Sequence, residues 1–85
     1  MRIETVVLHG HDETVVLSRK NEGIDVACQN EPRNSFSVPS ADLANRPEKV
    51  DEAAGRILKL LDAFENDEDR QIIVDSMETM ALTIN

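Results

Sequence analysis

The sequence predicts an α+β fold in which an antiparallel meander of three to four strands, residues 2–38, packs on a C-terminal helical hairpin, residues 47–65 and 67–82. Two observations predict it. The first half is rich in valine, isoleucine and threonine and alternates apolar with polar residues, as strands do. In the second half, apolar residues recur at spacings of three and four, as on amphipathic helices. With 85 residues, the chain is expected to form a single small domain.

The first two strands are predicted on either side of the turn-prone segment His-Gly-His-Asp, over residues 2–8 and 14–18. We place Val7 opposite Val15, because this register gathers one apolar set on the helix side of the sheet, and a slip of one residue would exchange the two faces. The same register places three apolar residues on the outer face of the sheet: Val6, Leu8 and Val16.

Two further strands complete the predicted meander. Asn21 and Gly23 indicate a turn, after which residues 24–29 alternate and place Ile24, Val26 and Cys28 toward the core. Residues 35–39 predict a short fourth strand, which Pro39 closes because proline donates no backbone hydrogen bond.

The helical half begins with Ser40–Asn45, which predicts a short helical turn or a loop capped by Ser40. Pro47 suits the first turn of the helix over residues 47–65. Gly55 lies inside this helix, where glycine is unfavourable, and indicates close approach of a neighbour's backbone. Asn66 or Asp67 is expected to cap the second helix, residues 67–82, as an antiparallel neighbour of the first.

Charge restricts the partners of this protein. Seventeen acidic and nine basic residues give a net charge of −8, and eleven of the acidic residues lie from Ala41 onward. Such a chain repels phosphate backbones and anionic membrane surfaces, and two phenylalanines without tyrosine or tryptophan offer little for bases to stack on. We therefore expect no direct nucleic-acid or membrane binding. A single cysteine and no apolar leader or membrane span predict a cytoplasmic location.

The residues His9, His11 and Asp12 form the alternative candidate for chemistry. Two imidazoles and a carboxylate have suitable atoms for Zn²⁺, so a metal-binding protein or a metal-dependent enzyme is one hypothesis. The competing interpretation is that Gly10 and Asp12 form a hairpin turn and that the histidines are solvated. We prefer the turn, because the chain has no third histidine to complete a ligand set.

No catalytic constellation and no cofactor-binding motif are predicted. Cys28 lies in an alternating strand, where it is expected to be a small buried apolar residue rather than a nucleophile. The three glycines are scattered and form no phosphate-binding loop. We therefore expect a protein that is not an enzyme and that uses no cofactor.

Two surfaces predict protein–protein interaction. The outer-face residues Val6, Leu8 and Val16 predict self-association, most simply as a symmetric homodimer, unless the tail from Leu82 covers them. The helical half carries an acidic surface that is either a solvated face or a binding site for a basic partner, such as a nucleic-acid-binding protein that it regulates or inhibits. Its four test residues are Asp62, Glu65, Glu68 and Asp69. The sequence thus predicts a small acidic interaction module.

Overall fold

The computed structural model describes residues 4–62 and 66–82, and it confirms the predicted α+β fold. The strands of this part of the chain form one antiparallel sheet whose spatial order follows the sequence, so each strand pairs with the next. They are β1 (Thr5–His9), β2 (Thr14–Lys20), β3 (Gly23–Cys28) and β4 (Phe36–Pro39). A turn of 3-10 helix, Pro32–Asn34, lies in the connection between β3 and β4.

The sheet is followed by the helices α1 (Ser40–Asn45), α2 (Pro47–Leu60) and α3 (Asp67–Ala81). The start of α2 and the end of α3 line the same groove, as expected for antiparallel neighbours. The first helix of the hairpin is shorter than predicted, because α2 ends at Leu60 and Asp62 leaves the helical path with a φ of 53°. Residues 63–65, where the prediction had placed the last turn of this helix, lie outside the described residues.

The caps of the helices agree only in part with the predictions. Asn66 caps α3, since its side chain accepts a hydrogen bond of 2.8 Å from the N–H of Asp69. The predicted capping role of Ser40 is wrong. Helix α1 begins at Ser40 itself, so Pro39 occupies the cap position, and α1 has no side-chain cap. The N–H of Ser40 donates instead to the carbonyl of Glu22 at 2.7 Å.

The predicted pairing of β1 with β2 is wrong by one residue. The N–H of Gly10 donates to the carbonyl of Glu13 at 2.8 Å, and this closed turn sets His9 opposite Thr14 and Val7 opposite Val16. A shift of one residue exchanges the two faces of a strand. Val6 and Leu8 therefore lie on the helix side of the sheet, where they are half-buried and pack against the core. Their predicted place on the outer face is corrected accordingly.

The turn between β2 and β3 has the predicted position, with Lys20 opposite Gly23. Gly23 has a φ of +147°, and a side chain there would collide with the carbonyl of Val38, so the position requires glycine. The turn aligns β3 so that its alternate residues face the helices, as predicted. The core contains buried residues of three strands and both long helices: Val15, Leu17, Ile24, Val26, Cys28, Val38, Val50, Ala53, Ala54, Ile57, Leu58, Leu61, Ile73, Met77 and Met80.

Helix α2 lies between the β4 edge of the sheet and α3. On one flank, the guanidinium of Arg56 stacks 4.0 Å from the ring centre of Phe36 in β4. On the other flank, the guanidinium of Arg70 from α3 donates to the carboxylate of Asp51 at 2.8 Å and lies against Gly55. The neighbour predicted at Gly55 is thus a side chain rather than a backbone. Helix α3 is therefore placed on the side of α2 that faces β1.

Candidate functional site

The outer face of the sheet carries a short apolar row. Val7 is opposite Val16, and Val16 is opposite Ala27, so the three side chains lie next to one another across three strands. Val7 is 49% exposed, Val16 is half-buried and Ala27 is exposed. Of the predicted interface residues, only Val16 belongs to this row. The apolar outer surface is therefore smaller than the sequence indicated, and it extends from the β1 edge to β3.

Strand β1 is one edge of the sheet, and its hydrogen-bonding pattern shows which groups it leaves free. The carbonyl of Glu4 accepts from the N–H of Arg19 at 2.9 Å, and the N–H of Gly10 donates toward Glu13. In antiparallel pairs such hydrogen-bonded positions alternate, so the even-numbered residues from 4 to 10 bond to β2. The N–H and C=O groups of Thr5, Val7 and His9 consequently point away from the sheet.

The structure also places the alternative metal ligands. His9 is exposed at the end of β1, and Asp12 is exposed in the turn. The turn itself packs on α2, because the N–H of His11 donates to the carbonyl of Leu61 at 3.2 Å. Within residues 4–62 and 66–82, no three histidine, cysteine or carboxylate side chains form a group that could hold a metal ion. His9, His11 and Asp12 are thus not brought together as a ligand set.

Glu13 is a buried carboxylate to which the sequence analysis had assigned no role. It is 8% exposed and accepts three hydrogen bonds, from the N–H groups of Asn30 at 2.8 Å, Thr14 at 2.9 Å and Glu31 at 3.0 Å. The Asn30 N–H contributes most to lowering the pKa of the carboxyl, and the other N–H groups add to it against the opposing effect of burial. Glu13 therefore holds the β3–β4 connection against the first hairpin.

A signal for this role was present in the sequence. Glu13 alternates with Val15 and Leu17, both of which face the core. Alternate residues of a strand lie on the same face, so the side chain of Glu13 is directed toward the interior. A carboxylate in such a position needs hydrogen-bond donors, and here backbone N–H groups of the opposite loop supply them. This arrangement accounts for the carboxylate without a ligand.

An open groove of about 810 Å³ lies at the opposite end of the sheet, beside the β2–β3 turn. It is formed where α1, the start of α2 and the end of α3 meet. Most of its lining is apolar and much of it is small: Leu43, Ala44, Pro47, Val50, Ala81 and Leu82. Glu78 adds a carboxylate, and Leu82 is 85% exposed. Sequence reasoning missed this groove, because its walls come from three helices whose relative placement no local pattern reveals.

The predicted acidic surface is distributed over the junction of α2 and α3. Asp62 follows the end of α2, while Asp67, Glu68 and Asp69 form the first turn of α3. Asp69 is engaged in the cap, since its carboxylate accepts from the side-chain amide of Asn66 at 3.0 Å. Carboxylates at this position are stabilised by the positive end of the helix dipole. Glu65 lies outside the described residues.

Cys28 is buried at the end of β3. Burial raises the pKa of its thiol, and the nearby Glu13 carboxylate raises it further, against weaker opposing effects of Ser35 and Arg56. Because the thiolate is the nucleophilic form, this environment makes the sulfur unreactive. The thiol therefore acts as a small apolar side chain of the core.

Comparison of the chain with protein-family models, with curated proteins and with solved structures finds no match. None of the helices in the described part of the chain is long and apolar enough to cross a membrane. The two features that stand out are thus surfaces: the apolar row that ends at the β1 edge, and the groove between the helices.

Proposed function

We propose that this protein is a small non-catalytic interaction module that binds a basic segment of a partner protein and that also self-associates. The observation that carries the proposal is the open apolar groove with Glu78 in its wall. An amphipathic helix placed in such a groove buries apolar side chains spaced by three and four residues. The small side chains of Ala44 and Ala81 leave room for close approach of its backbone.

Charge around the groove favours a basic segment. Arg46 is paired with Asp42 at 3.7 Å, and Lys49 is paired with Glu52 at 3.6 Å. No ion pair of the described residues involves Glu78. Arg46, next to Pro47 of the groove wall, is therefore partly neutralised, and Lys49 lines a different pocket beside β4, whereas the Glu78 carboxylate is available to a basic partner. A net charge of −8 adds long-range attraction for a basic partner.

Binding of designed helical peptides would test this proposal. We would compare two labelled peptides with the same leucine stripe, one with lysine and one with glutamate on its polar face, by fluorescence anisotropy. The lysine peptide is expected to bind, with an affinity that falls as salt rises from about 0.05 to 0.5 M, because screening shortens the range of the attraction. Equal binding of both peptides would refute the role of charge.

A matched pair of variants would separate the groove from general acidity. Glu78→Lys and Asp75→Lys make the same charge change on exposed residues of α3, but only Glu78 lines the groove. We expect Glu78→Lys to weaken lysine-peptide binding about tenfold or more, equivalent to roughly 1.4 kcal/mol, and Asp75→Lys to weaken it much less. Equal losses would show that the peptide binds by overall charge alone.

The same acidity supports a regulatory role toward a nucleic-acid-binding protein. Asp62, Glu68 and Asp69 provide a second negative surface, at the opposite end of the helical hairpin from the groove, and Glu65 is part of the same proposal. Such a surface would compete with a phosphate backbone for a basic groove. Competition against labelled DNA for a basic partner captured from the native host would test this role, with Glu68→Lys as the variant expected to compete less well.

Self-association is supported by the apolar row of Val7, Val16 and Ala27. Light scattering after gel filtration would measure it, and Val16→Glu is expected to reduce it because the row would then carry a charge. A strictly monomeric parent protein at all concentrations would exclude this part of the proposal. We place the protein in the cytoplasm, where a lone thiol stays reduced; recovery in another fraction of the host cell would contradict this.

A further inference from the structure

Strand β1 has few of the features that protect sheet edges. Natural edge strands are commonly blunted by charged side chains, by proline or by very short length. The sequence of β1 is Thr-Val-Val-Leu-His, without any lysine, carboxylate or proline. The other edge, β4, has four residues, ends at Pro39 and continues directly into α1. The β1 edge is thus the one that can accept another strand.

The free groups of β1 match those of a second copy of the same strand. Thr5, Val7 and His9 point their N–H and C=O groups outward, and Val7 lies midway between the other two. If two β1 strands run antiparallel about a two-fold axis at Val7, Val7 faces its own copy and Thr5 faces His9 of the other chain. The three pairs would exchange roughly six backbone hydrogen bonds.

We propose that two copies of this protein pair β1 to β1 in this register and form one continuous eight-stranded sheet. This proposal rests on the self-association proposed above and names its mode, which is edge to edge rather than face to face. The outer row would run unbroken across the axis, from Ala27 and Val16 of one copy through Val7 to the same residues of the other. On the helix side, half-buried Val6 would face Leu8.

The position of Ile72 supports this arrangement. It is 56% exposed on α3. Arg70 points from α3 toward α2, and Ile72 is about 200° further around the helix, so it lies on the opposite flank. Because α2 contacts β4 and α3 contacts β3, that flank of α3 lies on the side toward β2 and β1. In the paired sheet both helical layers lie on the same side, so Ile72 of each copy faces the other copy across the axis.

A second copy fits this edge better than a charged partner does. The five residues of β1 include no lysine, arginine, aspartate or glutamate, so pairing requires no complementary charge. Each copy has a net charge of −8, and the two copies repel one another. Added salt screens this repulsion, so the dimer is expected to strengthen with salt, opposite to the binding of a basic peptide.

Two double variants test the register directly. Thr5→Lys with His9→Glu places opposite charges next to each other across the axis, whereas Thr5→Glu with His9→Glu places like charges there. Cross-strand charge pairs of opposite and like sign differ in their effect on pairing. Sedimentation equilibrium is expected to give a dimer dissociation constant at least about tenfold lower for the Lys/Glu variant. Equal constants would overturn the register.

A second set of variants separates edge pairing from face-to-face packing. Val7→Pro removes an outward N–H without removing a hydrogen bond to β2. Val7→Lys keeps the backbone intact but places the ammonium groups of the two copies opposite each other across the axis. Ala27→Lys is the matched control, with the same charge on the same face away from the edge. Both Val7 variants are expected to be monomeric and Ala27→Lys dimeric, with circular dichroism checking the fold.

The outcomes distinguish the two proposals. If the parent protein is a monomer, self-association itself is wrong. If the parent is a dimer that Ala27→Lys breaks and the Val7 variants leave intact, the copies pack face to face and edge pairing is wrong. All these variants are expected to retain binding of the lysine peptide, because β1 does not line the groove. Its loss would report a damaged fold.

Discussion

The same substitution, glycine to alanine, is expected to have opposite effects at two positions. At Gly10 a Cβ atom would lie 2.5 Å from the carbonyl oxygen and 2.7 Å from the Cα of Leu61. Both are backbone atoms, and the neighbouring N–H of His11 donates to that same carbonyl. The first hairpin would therefore have to move away from the end of α2. At Gly55 the nearest atom, at 2.7 Å, belongs to the flexible guanidinium of Arg70.

The magnitudes follow from these contacts. Overpacking that shifts the backbone destabilises the fold by about 1–3 kcal/mol. Alanine also lowers the entropy of the unfolded chain relative to glycine, which stabilises the fold by about 0.4–1 kcal/mol. We therefore expect Gly10→Ala to destabilise by roughly 1–2 kcal/mol. In the interior of α2, alanine is better than glycine by about 1 kcal/mol. Displacing Arg70 from the exposed Asp51 carboxylate costs at most about 1 kcal/mol. Gly55→Ala is thus expected to be neutral or stabilising.

Urea denaturation followed by circular dichroism would measure both variants, with thermal unfolding as a second readout. For a domain of this size, 1 kcal/mol corresponds to a change in Tm of about 4–8 °C. Gly10→Ala is expected to melt below the parent, and Gly55→Ala at or above it. If Gly10→Ala were as stable as the parent, the contact between the first turn and the end of α2 would be wrong, and with it the position of His9 at the sheet edge.

Three further predictions probe separate features. Asp62 has a left-handed backbone at the end of α2, so Asp62→Gly is expected to raise stability by up to about 1 kcal/mol in urea denaturation; a loss would contradict that conformation. Hydrogen bonds lower the pKa of Glu13 in the folded state, so its stabilising effect is present above the ordinary carboxyl range and is lost as pH falls through the lowered value. The deficit in Tm of Glu13→Gln relative to the parent is therefore expected to shrink from pH 7 to pH 3, and a constant deficit would count against this role. In dilute protein, where monomers dominate, Leu8→Ala is expected to lower the free energy of unfolding by about 1–2 kcal/mol, and Val7→Ala by clearly less. The reverse order would support the register that was predicted from the sequence.

The class of fold was predictable because it depends on periodicity. Alternation in residues 24–28 and helical spacing from Val50 to Leu61 are properties of short windows, and each window forms the predicted element. The cap at Asn66 was predictable for the same reason, since its hydrogen bond reaches only three residues. These features need no knowledge of what lies across the core.

The register of β1 was not predictable from pattern alone. Residues 5–8 are apolar or β-branched at every position, so both faces of the strand carry valine or leucine, and the two possible registers bury similar side chains. The turn decides between them through the Gly10 to Glu13 hydrogen bond. The position of Gly10 is fixed in turn by Leu61, which lies 51 residues later in the chain. A hydrophobic pattern without polar alternation therefore specifies a strand but not which of its two faces is buried.

The two proposed associations are coupled through charge. The groove and the β1 edge share no lining residue, so neither blocks the other. Each copy brings a net charge of −8 to the dimer. A bound basic segment reduces this negative charge and therefore weakens the repulsion between the two copies. Binding of the partner then favours dimerisation, and by thermodynamic reciprocity the dimer binds the partner more tightly than the monomer does. Saturating lysine peptide is accordingly expected to lower the dimer dissociation constant in low salt and to have little effect on it at about 0.5 M salt, where screening removes the repulsion. A peptide that instead dissociates the dimer would show that it competes for the β1 edge, and the groove would then not be its site.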